Sequence, residues 1–136
     1  MRATSRVRQV VNVVNLATPL GLLLALALRA RVERTADGIL LARGARGSFP
    51  RADAFTIGDV VLLRVPEPSA ALLAHEARHS TQWAYCVVLF LPLYLVAVAW
   101  SWLRCGDHWS RNWFERGAVL VDGGYVEHPP RRWRRR

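Results

Sequence analysis

Pro68-Ser-Ala-Ala-Leu-Leu-Ala-His-Glu-Ala-Arg-His-Ser-Thr-Gln-Trp83 decides how the rest of the chain is read. Within it His75, Glu76 and His79 form H-E-x-x-H. Residues four apart share one face of an α-helix, so His75 and His79 can present two imidazole nitrogens to a single metal ion. Glu76 projects beside that face, where a carboxylate can take a proton from water activated by the metal. Zn2+ suits the pair, because imidazole is a good zinc ligand and a catalytic zinc keeps one position open. An exposed polar helix face that merely carries two histidines is the plainer reading. Against it, the chain has only four histidines, and two of them stand at metal spacing with a base between. Ser69 is well placed to cap the helix, which is expected over 69–83.

Upstream, 32–68 has soluble character. Ile39 to Ala42 is a strand candidate, and a turn-rich stretch follows to Pro50. Phe55 to Ile57 and Val60 to Val65 flank Gly58-Asp59, a two-residue hairpin signal, and Pro66 and Pro68 stop the sheet. The strand from Val60 is read as able to offer an edge to an extended peptide. Earlier still, Arg2, Arg6 and Arg8 precede an apolar run over 10–28. A signal peptide competes for that run, but Arg29 to Arg34 offers no clean small-residue cleavage site. An uncleaved membrane helix is expected.

Downstream, Ala84 to Leu103 carries no charge over a length near that needed to cross a bilayer. Trp83 at one end and Trp100 and Trp102 at the other read as interfacial aromatics. Pro92 interrupts the segment. A straight helix would put His79 and any later ligand on opposite sides of the membrane, so 84–103 is expected to fold back at Pro92 as a hairpin. A short helix over 110–120 and an arginine-rich tail over 129–136 complete the chain, and the tail could rest on anionic headgroups. The fold class is therefore mainly α with a small β-hairpin of short antiparallel strands, in one membrane-associated domain over residues 1–136. A hydrophobic fraction of 52% beside a net charge of +9 agrees with apolar segments joined by basic loops. Cys86 and Cys105 give neither a disulfide framework nor a cysteine-based zinc site.

A mononuclear zinc needs a third protein ligand. A histidine close behind the motif is excluded, because Gln82 and Tyr85 stand where glycine and histidine would be required. Asp107, His108, Glu115 and Asp122 remain as candidates.

H-E-x-x-H followed by glutamate on a second helix resembles the gluzincin type of zinc metallopeptidase. More narrowly, His75 to Trp83, the later Phe-Leu-Pro-Leu-Tyr-Leu and Asn-Trp-Phe-Glu-Arg-Gly-Ala resemble small bacterial membrane proteins of H-E-x-x-H type with a downstream Phe-Glu motif. The likeness covers roughly 69–125. It implies that His75, His79 and Glu115 hold zinc and that Glu76 is the general base. Over these 136 residues the large substrate-binding domain of full gluzincins is not expected. A second resemblance is to site-2 proteases, in which an Asp-Gly supplies the third ligand; Asp122-Gly123 would fill that place.

The expected function is a zinc-dependent hydrolase, a peptidase, bound to the bacterial cytoplasmic membrane. Membrane lipid and a peptide or protein are the expected partners, without nucleic acid. Tyr125, His128, His108 and Arg111 are candidates for stabilising the oxyanion, and Gln82 for supporting the ligands. The alternative is a non-catalytic basic membrane protein that binds lipid or a partner.

Overall fold

The computed structural model describes residues 3–131, so Arg2 and most of the arginine tail lie outside the described residues. About half the chain is helical, around one four-stranded sheet. The elements are α1 (Ala3–Val14), α2 (Ala17–Ala27), β1 (Arg31–Arg34), β2 (Leu40–Arg43), β3 (Ala54–Ile57), β4 (Val60–Leu63), α3 (Ala70–Cys86), α4 (Phe90–Cys105) and α5 (Trp113–Gly117). Short 3-10 turns at Val87–Leu89 and Leu120–Gly123 follow α3 and α5.

The sheet runs β1-β2-β4-β3, with β4 parallel to β2 and antiparallel to β3. The Gly58 hairpin forms as its sequence suggests, with Gly58 at φ 59, a region that suits glycine. Two strand expectations need correction. The sheet is mixed, not antiparallel, and Arg31–Arg34 forms a fourth strand with no apolar alternation to betray it. β4 is also no edge: it lies between β2 and β3, and every one of its residues is buried. A continuous apolar run suits a strand covered on both faces. Val61 and Leu63 pack against Leu72 of α3, while Val60 and Leu62 pack with Ala25 of α2. The free edge on this side of the sheet belongs to β3.

The N-terminal apolar run is not one helix. α1 and α2 meet at 73°, with Leu16 at φ 66 between them. The polar residues that interrupt the run explain the corner. Asn12 is fully buried and donates to the Ser80 carbonyl of α3 (3.0 Å), and Asn15 Oδ1 accepts from Ala17 N–H (2.9 Å) at the start of α2. Arg8 reaches Asp59 at 2.7 Å, and Asp59 also accepts from Ser80 and Thr18, which ties the hairpin to α1, α2 and α3.

Helical residues run from Ala70 to Cys105, long and apolar enough by length and composition to cross a membrane. The run is nevertheless bent. Fifteen residues of straight helix would separate His79 from Tyr94 by about 22 Å, yet their rings lie 6.4 Å apart. The bend sits at Val87, whose φ of 52 and ψ of −134 leave the helical region. Pro92 is not the apex. It is the third residue of α4, in the first turn, where its missing N–H has no helical acceptor to lose. Trp83 is also no interfacial residue: it is 4% exposed and donates its indole N–H to the Thr56 carbonyl at 3.0 Å. Trp100 and Trp102 do remain exposed, under Arg104 and Arg131 respectively.

Candidate metal centre

Ser69 caps α3 by accepting from Leu72 N–H at 3.0 Å, which fixes the helix register and aims the motif face at the sheet. His75, Glu76 and His79 are all buried there. Asn112 caps α5 in the same way, accepting from Phe114 N–H at 3.0 Å, and the next turn sends Glu115 inward. α5 is shorter than the helix expected over 110–120, but it carries the glutamate to the histidines. His75 Nε2 and His79 Nε2 lie 3.0 Å apart, and Glu115 Oε2 is 3.2 and 3.5 Å from them.

Hydrogen bonds around these atoms determine where the lone pairs point. His75 Nδ1 faces the Val119 carbonyl at 3.0 Å, and His79 Nδ1 faces Gln82 Oε1 at 2.8 Å. The Gln82 amide is oriented by donating from its Nε2 to the Phe114 carbonyl at 2.9 Å. Each Nδ1 therefore carries the proton, and each Nε2 lone pair turns inward. Glu115 Oε2 is buried with no hydrogen-bond donor, while its Oε1 accepts from the Tyr94 hydroxyl. Burial alone would raise the Glu115 pKa. Without a metal, protonated His75 and His79 facing it, and then Tyr94, outweigh burial and hold the carboxyl well below the usual range, a cationic part that a bound metal ion would take over. In the neutral tautomers that Val119 and Gln82 select, two nitrogen lone pairs and a carboxylate oxygen converge, a set that a metal ion satisfies. A Cβ at Gly123 would stand 2.7 Å from His75 Cε1, so the turn after α5 needs glycine to pass this close to the imidazole.

Comparison with protein-family models, with curated proteins and with solved structures gives no match. The site stands on its own geometry.

The other third-ligand candidates are engaged elsewhere. Asp122 pairs with Arg78 at 3.0 Å. Asp107 accepts from Ser110 Oγ (2.6 Å), Ser110 N–H (2.6 Å) and Trp109 N–H (2.9 Å), and it pairs with His128 Nδ1 at 2.9 Å. Burial, the largest single effect, would raise its carboxyl, but these bonds together outweigh it and hold the group below the usual range. His108 is exposed beside Trp109. Of the candidate oxyanion donors, His128 is tied to Asp107 and Arg111 lies 3.6 Å from Glu127. Tyr125 alone of the four lines the cavity at the metal centre, its ring 6.2 Å from that of His75.

Two neighbours were not singled out in the sequence. Thr56 Oγ1 donates to Glu76 Oε2 at 2.5 Å and holds the carboxylate at the cavity wall. Tyr94 orients Glu115; its sequence signal is one polar tip within an uncharged run. β3 adds backbone groups. Arg64 N–H bonds the Asp53 carbonyl, so by the alternation of an antiparallel pair Ala54 and Thr56 turn their backbone groups away from β4. Trp83 takes the Thr56 carbonyl, which leaves Ala54 as the open rung beside the cavity.

Proposed function

We propose that this chain is a membrane-bound zinc-dependent hydrolase acting on peptide bonds. The observation that carries the reading is the convergence of His75 Nε2, His79 Nε2 and Glu115 Oε2. Tetrahedral zinc with bonds near 2.0–2.1 Å places its ligand atoms about 3.3 Å apart, and the three separations here are 3.0, 3.2 and 3.5 Å.

When bound, zinc supplies Lewis acidity that makes water a nucleophile near neutral pH. The protein supplies the rest. Glu76 accepts the proton of the attacking water, and Thr56 keeps its carboxylate in place. Tyr125 directs its phenol toward the developing oxyanion. Burial, followed by the Glu115 and Glu76 charges, raises the Tyr125 pKa above its ordinary value, so the hydroxyl keeps the proton it must donate. An extended peptide pairs with the Ala54 rung of β3, the role that the sequence had suggested for the neighbouring strand.

Membrane attachment rests on apolar exposure. Leu20, Leu23 and Leu26 of α2 and Leu93, Leu95 and Val96 of α4 all face outward. Both helix corners carry exposed apolar residues, Val14 and Leu16 at one and Val88 and Leu89 at the other.

Metal analysis of purified variants tests the proposal. His75→Ala, His79→Ala and Glu115→Ala should lose zinc, whereas Asp107→Ala, His108→Ala and Asp122→Ala should keep it. Glu76→Gln should keep zinc and lose hydrolysis by about 10²–10⁴-fold. Equal zinc loss in Glu76→Gln and His75→Ala would overturn the assigned roles.

A further inference from the structure

Beside Glu76 and the three ligand residues lies a cavity of about 130 Å³. Its polar wall is the metal centre. Ala54, Thr56 and Tyr125 also line it, and its apolar side is formed by Phe55, Trp83, Phe90, Leu91 and the Tyr94 ring. The polar tips on that side are already satisfied: the Trp83 indole bonds the Thr56 carbonyl, and the Tyr94 hydroxyl bonds Glu115. An apolar guest would therefore strand no donor or acceptor there, whereas a polar guest would find no partner. Trp83, Phe90 and Tyr94 are in consecutive ring contact, with centroids 4.5 and 5.7 Å apart, which makes the wall stiff.

The volume sets the guest. An apolar protein cavity of about 150 Å³ takes one benzene, so this chamber, part of which lies against the ligand residues, has room for at most one aromatic or branched aliphatic side chain. Leu91 lines the cavity and is 45% exposed at the start of α4, next to the apolar corner Val87–Leu89.

We propose that this cavity is a specificity subsite for one bulky apolar side chain, of leucine to phenylalanine size, on the peptide residue adjoining the bond to be cut, with Leu91 limiting the size admitted. The inference rests on the zinc hydrolase reading for the chemistry beside it. It adds the substrate class: extended polypeptide bearing such a residue, met where α4 offers its apolar surface. The backbone of that peptide lies on the Ala54 rung, so its side chain enters between Phe55 and Leu91.

The test is a series of peptide hydroxamates differing only in the side chain next to the chelating group, titrated calorimetrically into the zinc-loaded full chain in nanodiscs. Affinity should climb from the alanine to the leucine and phenylalanine compounds by at least about 10-fold, the lower bound for one well-packed methylene, and then fall for tryptophan. Leu91→Trp should reverse the order of the alanine and phenylalanine compounds, and Leu91→Ala should admit the tryptophan compound. Leu91 is partly exposed, so both variants are expected to fold. A flat series, or one that ignores Leu91, overturns the subsite while leaving the zinc reading intact. Failure of plain acetohydroxamate to bind would instead count against the zinc reading. In that event the subsite is judged by fluorine NMR with fluorobenzene on the metal-free chain: saturable binding lost in Leu91→Trp supports it, and no difference between the two proteins overturns it.

Discussion

His79 owes its orientation to one amide. Gln82 stands three residues later on the same helix face, and its own direction comes from the Phe114 carbonyl at the start of α5. Because that link reaches from α3 to α5, Gln82 couples a ligand to the element that carries Glu115. Gln82→Ala should weaken zinc binding by about 10–100-fold, the usual effect of losing such a supporting bond, as measured by competition with a chromogenic chelator. Asp107 has a different part. It gathers Ser110, Trp109 and His128, and so clamps the loop after α4 to the segment that carries Tyr125. Its folded pKa is depressed, so the unfolded chain takes up a proton first as the pH falls. The stabilisation is therefore present above the unfolded carboxylate value of about 3.9 and is lost as the pH falls through the folded value. Asp107→Asn should cost about 1–3 kcal/mol at pH 7, and the deficit should shrink in acid. Denaturant unfolding at both pH values checks this.

At the scale of elements, the bend between α3 and α4 makes the site possible. It lets Tyr94 meet Glu115, and it allows α5 to return to the motif face. The strain of that bend falls on Val87, a β-branched residue at positive φ. Val87→Gly should leave stability unchanged or raise it by up to about 1 kcal/mol, whereas the same exchange inside a helix costs about that much. Pro92→Ala should be close to neutral, because the first turn of α4 has no hydrogen bond there to regain. Thermal unfolding of the two variants in one detergent distinguishes this assignment from an apex at Pro92, for which Pro92→Ala would straighten the segment and abolish metal binding.

For the whole molecule, the two bent helix pairs matter more than total hydrophobicity. The α1–α2 corner and the α3–α4 corner meet the same apolar cluster, in which Ala17 packs with Trp83 and Phe90. A protein held by those corners should stay with membranes through high-salt and alkaline washes and be released by detergent, since apolar burial does not weaken with ionic strength. Single cysteines at Ala70 and Trp113, in a background without Cys86 and Cys105, should react with an impermeant reagent from the same side of the bilayer. Reaction from opposite sides would contradict an arrangement in which α3 and α5 share one metal centre.

The sequence by itself determined whatever depends on neighbours along the chain. The Ser69 cap, the i, i+4 pairing of His75 and His79, the Gly58 hairpin and the two long apolar runs are all set by local geometry, which few competing contacts can override. Tertiary structure decided the remainder. Glu115, Asp107, His108 and Asp122 were equivalent in spacing until the bend at Val87 and the Asn112 cap brought one of them to the histidines and left the others with Ser110, Trp109 and Arg78. The exposed charged strand Arg31–Arg34 and the central position of β4 were equally hidden, because pairing order in a sheet is set by strands distant in sequence. Pro92 misled for a related reason: proline marks either a break or a first turn, and only the packing of Trp83, Phe90 and Tyr94 selects between them.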